Sequence, residues 1–123
     1  MIRFMTNLIS TEDEAAEAPG SDAPTPSTDE IMKALASPAR REILGWLKDP
    51  ARQFAEQHYS FDLGVCAGKI YEKSGLSQST VSAHLASLQR AGLVSTRKVG
   101  QWIFYSRNEA VIAAFLQQMQ QEL

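Results

Sequence analysis

Four polar residues, Gln78, Ser79, Thr80 and Ser82, open a stretch whose apolar members Val81, Leu85 and Leu88 recur at i, i+4, i+7. That spacing is helical and turns the apolar stripe inward, leaving Ser79, Ala83 and Arg90 on the opposite side. Short polar side chains at a helix N-terminus can approach base edges closely. Gln can pair bidentately with adenine, and a Thr methyl can touch thymine. The free N–H groups and positive dipole end of the same turn suit phosphate oxygens. His84 flanks the core stripe, where it either holds the helix in place or reaches a phosphate. Farther on, Arg97 and Lys98 precede Gly100 and Gln101 follows it, within β-branched and aromatic residues. A basic β-ribbon of this kind can lie on the DNA backbone or minor groove. Each part alone has a bland reading, as a cap or a solvated charge pair; together they point to duplex DNA.

Other chemistry is sparse. No nucleophile–base pair, phosphate loop or metal-ligand cluster is apparent, so the sequence gives no enzyme, no cofactor and no metal site. A single cysteine, Cys66, excludes an intrachain disulfide and fits a reducing compartment. It reads as a buried small hydrophobe beside Ile70, with a thiol redox switch and a metal ligand as alternatives. His58 is isolated. Phe54, Tyr59 and Phe61 fall in residues 49–63, a stretch too aromatic for a free linker. They either line a small-effector pocket near a dimer interface or cover the hydrophobic edge of the neighbouring helices.

The elements that must position these groups are legible from caps and breakers. Ser27 or Thr28 caps a first helix with Ile31, Met32 and Leu35 on its apolar face. Ser37-Pro38 stops it and starts a second, which runs to about Lys48. Residues 49–63 are irregular, with room for a short helical turn. A third helix is expected over about 64–74, with Val65, Cys66 and Ile70 as core residues, ended by Gly75 as a left-handed cap. Ser77 caps the fourth, which ends near Gly92. Leu93–Val99 and Gln101–Ser106 form a hairpin about Gly100. Asn108 caps a last helix with Val111, Ile112, Phe115, Leu116 and Met119 in one stripe. The expected fold is therefore mainly α with a small β-hairpin: four helices, two strands, then a fifth helix.

Charge divides the chain. The formal net charge is -2 over 123 residues, which read alone argues against a nucleic-acid partner. Residues 1–30 hold seven acids and one base, whereas residues 31–123 hold eleven bases and seven acids. Residues 11–27 lack Val, Ile, Leu and aromatics and carry three of the five prolines, so residues 1–27 are expected to be a disordered acidic arm. The folded part is then 28–123 and mildly basic. No apolar run approaches the ~18 residues of a membrane helix, and Met1–Ser10 makes no secretory signal. A cytoplasmic chain with no membrane partner is therefore expected.

The segments SPARREIL (Ser37–Leu44), GLSQSTVSAHLASLQRAGLV (Gly75–Val94) and GQWIFY (Gly100–Tyr105) resemble the arsenic-repressor (ArsR-type) winged-helix transcription regulators, over about residues 28–123. The resemblance implies a winged helix-turn-helix and a homodimer joined through its first and last helices. Ile31, Met32, Leu35, Val111, Ile112, Phe115, Leu116 and Met119 would form that interface. It implies two recognition helices in successive major grooves of a near-palindromic operator, with half-sites about 10 bp apart. Gln78, Ser79, Thr80, Ser82, His84, Arg90, Arg97, Lys98 and Gln101 would contact the DNA. Members mostly repress and release DNA on binding a metal or small effector. Metal sensing in the family commonly uses Cys-x-Cys in the third helix, or His and carboxylates in the last. Here Val65-Cys66-Ala67 offers one thiol, and the last helix has no His and only Glu109 and Glu122 as acids. Tyr71 and Ser74 also depart from usual helix-turn-helix residues. A winged-helix protein-interaction module without DNA binding and a thiol-responsive regulator acting through Cys66 remain as alternatives.

Overall fold

The computed structural model describes residues 27–123. The expected acidic arm, residues 1–27, lies outside the described residues but for Ser27. The chain from there folds as α1 (Thr28–Leu35), α2 (Pro38–Trp46), a short α3 (Pro50–Gln53), a 3-10 turn (Phe61–Leu63), β1 (Val65–Cys66), α4 (Ala67–Ser74), α5 (Gln78–Arg90), β2 (Val94–Val99), β3 (Trp102–Arg107) and α6 (Glu109–Glu122).

Local chemistry sets the helix ends. Ser27, not Thr28, caps α1: its hydroxyl accepts from Glu30 N at 3.1 Å and its own N–H donates to the Glu30 carboxylate. This reciprocal box satisfies two N-terminal donors that would otherwise lack partners. Ser37 caps α2 with Pro38 in the first turn. The next two arginines then reach back. Arg40 donates to the carbonyls of Lys33 and Ala34, and Arg41 to that of Leu35. The SPARR run thereby starts one helix and satisfies the last carbonyls of the previous one.

The sheet corrects one expectation. The third helix does not begin at 64; Val65 and Cys66 form a strand, and the helix starts at Ala67. β1 pairs antiparallel with β3, Val65 opposite Tyr105 and Cys66 opposite Phe104, giving a three-stranded sheet of order β1-β3-β2. Gly64 explains the switch. Its φ is +108°, and a Cβ there would meet the Tyr105 carbonyl oxygen at 2.8 Å, so only glycine permits the close approach. Gln57 secures the other side: its amide donates to Gly64 O at 2.9 Å and accepts from Cys66 N at 3.0 Å. The hairpin turn takes both Gly100 and Gln101, since Val99 pairs with Trp102. Each strand is therefore shifted by one residue from its expected start, while Gly100 supplies the positive φ.

The core gathers Ile43, Ile70, Val81, Leu85 and Leu88 from α2, α4 and α5 against Val65 and Val94 of the sheet. Ile31 is only 4% exposed and belongs to this core, which removes it from the expected dimer surface. Met32 on the same helix remains exposed and Leu35 half-buried. No residue of α6 is buried: Val111, Ile112, Phe115 and Met119 are half-buried, and Leu116 is 58% exposed.

Candidate nucleic-acid interface

α5 is anchored from within and polar without. Val81, Leu85 and Leu88 are fully buried, whereas Gln78, Ser79, Thr80, Ser82 and Ala83 are exposed. The helix stands on a tight turn. Gly75 takes φ +69° after α4, and Ser74 closes the turn by donating to Tyr71 O (2.9 Å) and accepting from Leu76 N (3.0 Å). Ser74 thus replaces an apolar residue without leaving a polar group unmet. Tyr71, half-buried, hydrogen-bonds through its hydroxyl to Ser82 Oγ at 3.1 Å and ties the two helices together.

The first turn of α5 is organised by Ser77. Its hydroxyl accepts from Thr80 N at 3.2 Å and donates to Thr80 Oγ1 at 2.7 Å, and it lies 3.3 Å from Ser79 Oγ. No acid sits in this turn, so the positive end of the helix is free for an anion.

Two expected contact residues stand apart. His84 is half-buried and turned toward α2, where its Nδ1 accepts from Arg40 Nε at 3.3 Å. Of its two sequence readings, the geometry favours holding the helix in place. Arg90 is exposed at the far end of α5, ~18 Å along the axis from Gln78 at 1.5 Å per residue. It donates to Ser87 and borders a depression with Lys33 and Arg40. It therefore lies away from the polar N-terminal turn.

Arg97, Lys98 and Gln101 are exposed on the hairpin. Directly opposed residues of an antiparallel pair share a face. Arg97 opposes Phe104 and Lys98 opposes Ile103, so the two bases project from opposite faces of the ribbon. Arg107, at the base of β3, is not free: it grips Glu109 with two bonds of 2.9 and 3.0 Å. Sequence reasoning missed Trp102 and Ile103, which are 46% and 40% exposed beside the turn. The available signal was their place at the tip, beyond the reach of the helices.

The aromatic loop divides. Phe54 is buried edge-on to Trp46 at 6.3 Å, and Phe61 packs on the core, so both serve as cover. Tyr59 and Cys66 do border a cavity of about 230 Å³. Cys66 is half-buried on the sheet face shared with Phe104, not on a helix beside Ile70. Among the described residues no group of three or more His, Cys, Asp or Glu could hold a metal ion. One titration is displaced: burial, and secondarily the neighbouring Tyr71, raise the Tyr105 phenol above its ordinary 10.0.

Comparison with known proteins agrees with this geometry. The family described as bacterial regulatory protein, arsR family, matches residues 65–96. The chain is 42% identical over 86 residues to YbzH, an uncharacterized HTH-type transcriptional regulator of Bacillus subtilis, covering 68% of this chain and 85% of that one. It is 33% identical over 82 residues to the transcriptional repressor SdpR of the same organism, covering 67% and 77%. The structure of HlyU from Vibrio cholerae superposes with a TM-score of 0.53 at 32% identity, over 75% of this chain and 87% of that one.

Proposed function

The chain belongs to the arsR family of bacterial regulatory proteins and is a DNA-binding transcriptional regulator; from that premise we propose that it is a homodimeric, non-enzymatic repressor acting in the cytoplasm. In this reading α5 enters the major groove of a near-palindromic operator by its N-terminal turn. Gln78, Ser79, Thr80 and Ser82 face the bases and nearest phosphates, and Arg97, Lys98 and Gln101 bring the wing onto the backbone or minor groove. The observation that carries the proposal is the two-sidedness of α5: three residues fully buried on one side, and a polar, acid-free first turn exposed on the other.

The dimer is supported by α6, whose apolar stripe finds no full cover among the described residues. Met32 of α1 adds a further exposed apolar side chain. Residues 28–123 act as one DNA-binding and dimerisation unit, and residues 1–27 as an acidic arm. Among the described residues no helix is long and apolar enough to cross a membrane.

A gel-shift titration on the DNA upstream of the protein's own gene tests the reading. Binding should fall steeply with salt, and Arg97→Ala should weaken binding to all sequences alike. It should also shallow the log–log salt slope by about 0.9, the contribution of one phosphate contact. An unchanged slope and affinity would remove the wing from the interface.

A further inference from the structure

The cavity of about 230 Å³ lies between the wing and the first helix of the helix-turn-helix. One side of it is an aromatic ladder. Phe104, 1% exposed, sits on the sheet face; Tyr59 stands edge-on to it at 5.5 Å between ring centroids; Trp102 stands edge-on to Tyr59 at 6.1 Å. The ladder thus runs from a buried ring to a half-exposed one beside the hairpin turn. The other side is charged, with Glu56, Lys69 and Glu72. None of these three takes part in an ion pair among the described residues. Gln57 also borders the space, but both ends of its amide are spent on Gly64 and Cys66.

We propose that this cavity is a regulatory ligand site and that it takes a small planar aromatic cation. The inference rests on the reading of the hairpin as a DNA-contacting wing. Size is the first argument: an apolar cavity of about 150 Å³ accepts benzene, so this space holds one ring with a substituent. Shape is the second, because edge and face positions around Tyr59 and Trp102 suit a flat ring. Charge is the third. The faces of Trp and Tyr attract cations, and two carboxylates outnumber the one ammonium of Lys69. His58 and the Cys66 thiol complete the polar part of the lining.

Position gives the site its consequence. Tyr59 and Trp102 also line a shallow depression with Val99, Gly100 and Gln101. The pair is therefore a partition between the cavity and the wing tip. A ligand seated against Tyr59 presses on Trp102, the first residue of β3, and through the turn on the strand that carries Arg97 and Lys98. The same ligand touches Lys69 and Glu72 on α4, which Tyr71 ties to Ser82 of the recognition helix. One small molecule thus bears on both DNA-contacting elements. If it fits the free protein better than the bound one, it lowers DNA affinity by the same factor that DNA lowers its own.

The test uses the full chain with benzamidinium as probe and benzoate as its charge-reversed counterpart. The chain has two tryptophans, Trp46 and Trp102, so Trp46→Phe leaves Trp102 as sole reporter. Benzamidinium should change its emission saturably, bind about tenfold tighter than benzoate, and weaken operator binding at saturation by about threefold or more. Tyr59→Ala should abolish the response, and the exposed Glu72→Gln should weaken it about threefold with an unaltered melting curve. No saturable change, equal binding of benzoate, or a response indifferent to both substitutions would overturn the site. DNA binding without probe is measured in the same titration. Its loss would count against the regulator reading, whereas intact DNA binding with a silent probe would count against the cavity alone.

Discussion

Ser77 shows how much one hydroxyl decides. By accepting from the backbone and donating to Thr80 it consumes an acceptor position of Thr80 and leaves that hydroxyl's own proton free. Thr80 is thereby presented as a donor, the polarity a phosphate or base acceptor needs. Tyr105 carries a different residue-scale consequence. Its phenol titrates above 10.0 in the fold because burial, then Tyr71, disfavour the phenolate. A group raised on folding contributes stability that is whole below its unfolded value and is lost as pH rises through the folded one. Urea unfolding between about pH 8 and pH 11 should therefore show an alkaline decline, and Tyr105→Phe should flatten it. A decline of the same size in the variant would assign it to other groups. His84 and Arg90 show the limit of helical-wheel reasoning at this scale. The wheel gives direction about the axis, but not that Arg40 would occupy the His84 imidazole or that Arg90 sits ~18 Å down the helix.

At the level of elements, helices announced themselves by their ends. Ser37-Pro38, Gly75, Ser77 and Asn108 each mark a boundary that the structure keeps, because a cap is a local bargain between one side chain and the nearest backbone groups. β1 was not legible. Two residues carry no periodicity, and the strand exists only because Gly64 lets the backbone meet Tyr105, forty-one positions away. The same limit hid the outcome for Phe54, Phe61 and Ile31, whose burial depends on what folds over them. The face of α6 is the element with unfinished business. Leu116→Glu and Phe115→Glu would place charge on a stripe that packs only partly against the described residues. Both should shift the molar mass in sedimentation equilibrium from dimer to monomer and lower operator affinity by tenfold or more, roughly 1.4 kcal/mol. A monomeric unsubstituted chain, or variants that stay dimeric, would contradict the pairing through α6.

Over the whole molecule, net charge was the least informative number and its distribution one of the most. The negative balance belongs to residues 1–30, and eleven of the twelve bases lie beyond them. Of the bases on or beside α5 and the wing, Arg107 is held by Glu109 and Arg90 lies remote from the polar turn. Arg97 and Lys98 remain, on opposite faces of a ribbon next to a recognition helix that no acid shields. The central claim is that this surface reads sequence, with the first turn of α5 as reader and the wing as clamp. Selection of bound duplexes from a random pool, with the unsubstituted chain and Gln78→Ala in parallel, tests it most directly. The account predicts an enriched near-palindrome with half-sites about 10 bp apart, and a preference at one position per half-site that relaxes by ~1–3 kcal/mol in Gln78→Ala while the rest of the site is retained. Enrichment of no sequence, or an identical site selected by both proteins, would contradict it.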